Sequence, residues 1–208
     1  MNNNEHPYVD LGLPSGTLWA TCNVGASKPT DYGLYFQWGD TVGYTVDQIG
    51  TGSGQKKFAN DWSDYKWYLS GSTNDENIAF KKYTTPGTKL ELEDDAAHAN
   101  MGGDWHMPLP AQITELLRNT TNTWITQDGV NGRLFTSKTD PSKSIFIPAA
   151  GNAWDGSVRR SGGYGYVWSS MLNTDVVDRG QYLGFSSGYV DLYGYGRCDG
   201  LPVRGVVG

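Results

Sequence analysis

The sequence predicts an α+β protein with small antiparallel sheets, one or two helices and much irregular loop. Three observations carry this. One segment, "PLPAQITELLRN", has the i, i+3, i+4 apolar spacing of a helix. Several short runs rich in β-branched and aromatic residues are set apart by turn signals. The 28 glycines among 208 residues follow no period, which fits many tight turns rather than collagen or a linker.

In chain order, "YVDLGLPSGTLWATCNV" reads as a hairpin: Tyr8 to Leu13, a turn at Pro14 to Gly16, then Leu18 to Val24. Thr30 or Asp31 is placed to cap a short helical turn with Tyr32, Tyr35 and Phe36 on its apolar side. Residues 41 to 90 are polar and aromatic-rich, and "FANDWSDYKWY" within them reads as irregular or edge structure. The helix follows, with Pro110 in its first turn, Ile113, Leu116 and Leu117 as its stripe, and Asn119 ending it in a left-handed turn. Short strands come next in "TWITQDGVNGRLFTSK" and "KSIFIPAAG", with turns at Asp128-Gly129 and Asn131-Gly132. "GYVWSSM", "QYLGFS" with "YVDLY", and "LPVRGVV" supply the last strands. The best loop candidates are residues 70–77 and 50–57, and neither has a separate core on both sides. Residues 1–208 therefore read as one domain with no internal repeat.

Composition sets limits on function. The net charge is −6 and no basic patch stands out, which argues against a nucleic-acid partner. No stretch approaches the ~20 apolar residues of a membrane span. The N-terminus has neither a basic region nor an apolar run, so no signal peptide is expected; the location expected is a virion or a cell surface reached by another route, otherwise the cytoplasm. Cys22 and Cys198 match no zinc spacing and make no disulfide framework. "ELEDDAAHAN" gathers Glu91, Glu93, Asp94, Asp95 and His98. They suit either a metal ion or, as expected here, a solvated acidic loop in which Asp95, His98 and Asn100 hold the backbone. No metal and no cofactor is expected. No nucleophile-and-base order, phosphate loop or dinucleotide fingerprint occurs, so no enzyme is expected.

The stretch "RGQYLGFSSGYVDLYGYGRCDG" has the composition of antibody binding loops, where tyrosine gives amphipathic contact area and Ser, Gly and Asp give adaptable hydrogen bonds. On a strand, Tyr182, Gly184 and Ser186 face one way while Leu183 and Phe185 face the other. One face is then packed, and the other is free to bind. Replacing Tyr182, Tyr193 and Tyr195 with alanine is expected to weaken binding and leave stability nearly unchanged, with Trp168, Phe185 and Arg204 as the rigid frame.

"VDLGLPSGTLWATCNVGA", "LYFQWGDT", "LELEDDAAHANMGGDWHMPLPAQITELL", "DGVNGRLF", "SIFIPAAG", "YGYVWSSMLNT" and "LPVRGVV" occur in this order. Together they resemble the Fibrobacter succinogenes major paralogous domain family of gut bacteria and phages. The resemblance implies a C-type lectin fold of the branch shared with formylglycine-generating enzymes. The chain also resembles the variable proteins of diversity-generating retroelements, of which the phage tropism determinant is one kind. That resemblance implies a variable region at 164–200, in which adenine-directed mutation of AAC or AAT codons yields Tyr, Asp, Ser, Gly, Cys and similar residues. It implies a binding surface drawn from Val167, Val176, Val177, Asp178, Arg179, Tyr182, Gly184, Ser186, Tyr189, Asp191, Tyr193, Tyr195, Cys198 and Asp199, for a protein or cell-surface glycan. Oligomers remain open. Two features depart from relatives of this fold: the Glu-Pro-Asn or Gln-Pro-Asp loop of calcium-dependent sugar binding is missing, and Cys198 lacks the second late cysteine of formylglycine-generating chemistry. A non-variable structural or adhesive surface protein is the alternative reading, and a formylglycine-generating-type enzyme the third.

Overall fold

A computed structural model describes residues 6–71 and 78–208. The elements are β1 (Tyr8–Asp10), β2 (Leu18–Ala20), β3 (Tyr35–Phe36), β4 (Tyr68–Ser70), β5 (Ala79–Phe80), α1 (Ala96–Met101), α2 (Pro110–Asn119), β6 (Thr120–Gln127), β7 (Val130–Ser137), β8 (Ser144–Pro148), β9 (Asn152–Trp154), β10 (Ser157–Arg159), β11 (Tyr164–Leu172), β12 (Arg179–Ser186), β13 (Val190–Gly196), β14 (Leu201–Pro202) and β15 (Val206–Val207). The strands form small antiparallel sheets in the orders β1-β2-β15, β3-β14, β4-β5, β6-β7-β8, β9-β10 and β11-β12-β13.

The expected class is corrected by this count. Strand takes up 38% of the described residues and helix 11%, so the fold is β-rich rather than α+β. The physical reason is that α1 is only six residues long and α2 alone brings a large apolar stripe, Ile113 and Leu116, to the core. The C-type lectin fold implied by resemblance is not the assignment these sheets support.

The sheet β11-β12-β13 lies between two cores. Its back face, with Val167, Leu183 and Phe185, joins Ile113 and Leu116 of α2 and Phe135, Ile145 and Ile147 of β7 and β8. Its front face, with Tyr166, Trp168 and Tyr182, joins Trp38, Leu201 and Val203. Strand alternation alone produces this split, because successive side chains leave opposite sides of a pleated strand. Each fully buried large side chain of this kind contributes roughly 1.5–3 kcal/mol of hydrophobic stabilisation.

Several local expectations are confirmed and others corrected. The first hairpin forms, its turn closed by Gly16 N–H donating to Leu13 O at 2.9 Å. Helix α2 spans the segment expected, with Pro110 at its start. Its end differs: Thr120 is extended at φ −120° and enters β6 directly, with no left-handed turn at Asn119. The Asp128-Gly129 turn is present, with φ of 49° and 81°. Asn131 and Gly132 instead lie within β7, where a Cβ on Gly132 would sit 2.4 Å from the Ile147 carbonyl oxygen. Tyr35 and Phe36 form a strand paired with Pro202 and Leu201 rather than the face of a helical turn, because both rings are fully buried. Residues 41–71 are irregular but not peripheral, since Phe58, Trp62 and Tyr65 are core residues. The loop expected at 70–77 lies largely outside the described residues. Among the described residues no helix is long and apolar enough to cross a membrane.

Two fully buried arginines tie distant segments together. Arg197 donates to Tyr65 Oη at 2.8 Å and to the carbonyls of Tyr83, Val177 and Lys82 at 2.9, 3.0 and 3.1 Å. Its guanidinium also lies 4.1 Å from the Phe80 ring centroid. Arg204 donates to Asn23 Oδ1, Ala20 O and Phe146 O at 2.9, 2.8 and 3.1 Å. Burial pushes the Arg204 guanidinium pKa down to about 10, still charged at neutral pH.

Candidate functional site

The front face of β11-β12-β13 carries a connected set of tyrosines. Register pairs Trp168 with Tyr182 and Tyr182 with Tyr193, which puts their rings side by side across three strands. The Tyr182 ring lies 5.4 Å from Tyr166, 5.9 Å from Tyr193 and 5.5 Å from Tyr195. Tyr189 meets Tyr193 edge-on at 5.7 Å and Tyr164 at 6.5 Å. Such aromatic pairs add about 0.5–1.5 kcal/mol each beyond buried area. Gly184 makes the arrangement fit: a Cβ there would lie 2.7 Å from Tyr182 Cε2 and 2.9 Å from Tyr193 Cδ2.

Exposure grades along this face. Trp168 is fully buried and Tyr182 is 7% exposed, whereas Tyr164, Tyr189 and Tyr193 are each about 40% exposed (39%, 40% and 41%). Asp191 is exposed beside them. The binding residues named from sequence therefore divide. Tyr189, Asp191, Tyr193, Val176 and Arg179 are exposed, and Asp178, Val177 and Tyr195 are half-buried. Val167 is a correction: it points to the back face and is fully buried against the α2 core, out of reach of any macromolecule. Tyr182 and Gly184 are foundation rather than contact surface. Ser186 is buried too; its carbonyl accepts from Arg133 at 2.7 Å and its Oγ from Gly188 N–H at 3.2 Å, which shapes the β12–β13 turn. Cys198 packs with Trp62, Tyr65 and Phe80. Its burial, with nearby Asp199 in second place, pushes the thiol far up. A thiol held protonated is a poor nucleophile. Cys22 is also free.

Beside the tyrosine face is a cleft of about 590 Å³. β9 and β10 form one wall through Asn152, Trp154 and Arg159, and Arg160 follows directly. The opposite wall is Asp178, Arg179 and the end of β13, while Asn60 and Trp62 contribute from the irregular segment. An isolated bridge between Ala153 and Gly200 joins the walls at the base. Asp199 lies at this base, 7% exposed. Gly196 leaves space for it, since a Cβ at 196 would come within 2.7 Å of Asp199 Oδ2. Burial raises the Asp199 carboxyl pKa to about 8, with Arg159 and Arg160 pulling it back down. Tyr195 links cleft and face: its Oη accepts from Asn152 Nδ2 at 3.4 Å, and its ring lies 5.6 Å from Tyr166. Sequence reading named Asp178, Arg179, Tyr195, Cys198 and Asp199 of this cleft. It missed Asn152, Trp154, Arg159 and Arg160, which come from a hairpin about forty residues upstream; the dipeptide "RR" was the only local signal.

The acidic cluster is not open. Lys82 Nζ lies 2.6, 3.2 and 2.7 Å from oxygens of Glu91, Glu93 and Asp94, so an ammonium already occupies the centre of these three carboxylates. Lys66 and Tyr83 Oη complete the Asp94 shell at 3.0 and 2.7 Å. Asp95 holds the backbone as expected: its carboxylate accepts from His98 N–H and Met107 N–H, and the segment it caps is the short helix α1.

No family model, curated protein or solved structure matches this chain. The lectin-type fold implied by resemblance therefore gains no support from known proteins.

Proposed function

We propose that this chain is a non-enzymatic recognition protein that binds a protein or cell-surface glycan through the exposed end of the β11-β12-β13 front face. The observation that supports this is the grading of one aromatic cluster from core to solvent. Trp168 and Tyr182 hold the base, and Tyr164, Tyr189 and Tyr193 stand about 40% exposed above it. Rings with little freedom left to lose, each carrying a hydroxyl, suit the centre of an interface. Asp191 stands at the margin of this patch. Display on a virion or cell surface belongs to the same reading.

Diversification of this surface by a retroelement is part of the proposal for the exposed positions alone, because exchange at Tyr182 or Ser186 would disturb packing. A template repeat in flanking DNA, carrying adenines at the codons for Tyr189, Asp191 and Tyr193, is the expected observation; its absence sinks the diversification claim. Binding itself is tested with the fluorescently labelled chain on intact bacterial cells. The triple variant Tyr164→Ala, Tyr189→Ala, Tyr193→Ala is expected to lose at least tenfold in bound signal with an unchanged circular-dichroism spectrum. Equal signal from the two proteins, or none from either, overturns the reading.

A further inference from the structure

We infer that the cleft between β9, β10 and the end of β13 binds an acidic saccharide unit, a hydroxyl-rich sugar ring bearing a carboxylate. This deepens the recognition reading by naming the chemistry of the anchoring group, and it rests on that reading. Three observations converge on it.

The first is a pair of buried polar atoms without partners among the described residues. Both belong to residues lining the cleft: Asn152 Oδ1, an acceptor, and Trp62 Nε1, a donor. A buried polar group left unpaired costs about 1–3 kcal/mol, and native structures keep few of them. The second is charge. Arg159, Arg160 and Arg179 surround the cleft, with only Asp178 and the buried Asp199 opposing them, on a chain whose net charge is −6. Two of these arginines are already held. The Arg159 guanidinium stacks 4.0 Å from the Trp154 ring centroid and donates to Ser157 Oγ at 3.1 Å. Arg160 donates to Tyr166 Oη at 3.1 Å. Arginines fixed before a ligand arrives lose less freedom on engaging a carboxylate, whose geometry their planar fork matches.

The third observation is Asp199. It is more than nine-tenths buried, and the charges that face it are Arg159 and Arg160, with the Cys198 thiol and Tyr195 hydroxyl beside it. Protonated at neutral pH, it both donates and accepts. The residues lining the cleft thus carry an unpartnered acceptor, an unpartnered donor, a carboxyl that does both, and a cationic rim. An ionised acidic side chain supplies acceptors only and leaves Asn152 Oδ1 unpaired. A neutral sugar leaves the arginines without a counter-charge. Ring hydroxyls, which donate and accept, together with one carboxylate answer all four. The volume of 590 Å³ is that of an ordinary small-molecule site.

Isothermal titration calorimetry on the full chain at pH 6.5, with trigalacturonate, glucuronate, the methyl ester of trigalacturonate and inorganic phosphate, tests this. At least one uronate is expected to bind, with the ester and phosphate at least tenfold weaker. Arg159→Ala and Arg160→Ala, both at exposed positions, are each expected to weaken uronate binding fivefold or more with unchanged melting temperature. At pH 9, with Asp199 ionised, uronate affinity is expected to fall. Failure of both uronates to bind, equal affinity for the ester, preference for phosphate, or indifference to both arginine substitutions overturns the inference. The cell-binding assay above does not use the uronates. If it succeeds while the uronates fail, the recognition reading survives and only this inference is lost.

Discussion

The two faces of β11-β12-β13 share a backbone and differ in what lies over them. The back face is covered by α2, β7 and β8, and Val167, Leu183 and Phe185 are fully buried there. The front face is covered only at one end. Tyr166, Trp168 and Tyr182 lie under cover, and Tyr164, Tyr189 and Tyr193 stand out into solvent. Alternation along a strand decides which face a residue joins, but the reach of the neighbouring layer decides whether it is buried. Tyr182 and Tyr193 are paired in register and share a face, yet one is foundation and the other is surface.

Graded substitutions sharpen this contrast. Phe185→Ala, which empties a site between α2 and β7, is expected to cost about 3–5 kcal/mol in urea denaturation. Tyr182→Ala is expected to cost about 2–4 kcal/mol, which reverses the sequence expectation that its loss would be nearly neutral. A cost below ~1 kcal/mol would mean the front face is loose throughout. Asp199 supplies the next test. Its folded pKa is about 8 against an ordinary 3.8. Between those values the folded chain keeps a proton that the unfolded chain releases. Its contribution to stability is therefore full below about pH 4 and is lost as pH rises towards 8. Calorimetric melting of wild type and Asp199→Asn is expected to coincide near pH 4 and to separate by several degrees near pH 8, the variant being higher. Parallel curves would show that the carboxyl is not held neutral. Tyr193→Ala is expected to cost least, under ~1 kcal/mol in the same urea experiment.

Much of this was legible in the sequence where the signal was local. The alternation of Tyr182, Gly184 and Ser186 against Leu183 and Phe185 gave the sheet's two sides correctly, and the Asp128-Gly129 turn and α2 followed from their own residues. Depth was not legible. Whether Tyr182 or Tyr193 is covered depends on Trp38, Leu201 and Val203, which lie far along the chain and share no spacing with either. The acidic cluster was legible in part: Asp95 holds the backbone as expected, but the cluster's lysine partner was not foreseen. Glu91, Glu93 and Asp94 stand within four residues, while the lysine that fills their centre lies at position 82. The cleft was half-seen because its second wall comes from β9 and β10, whose short polar sequence carries no binding signature.

The pairing of β2 with β15 and of β3 with β14, together with the bonds from Arg204 to Ala20 and Asn23, brings residues 165 to 189 positions apart into contact. Closures of that length come late, because the entropy of a long loop must be overcome before the contact repays it. During synthesis on a ribosome the opening hairpin is therefore expected to pack Leu11, Leu13 and Trp19 on α2, β7 and β8 first and to gain β15 last.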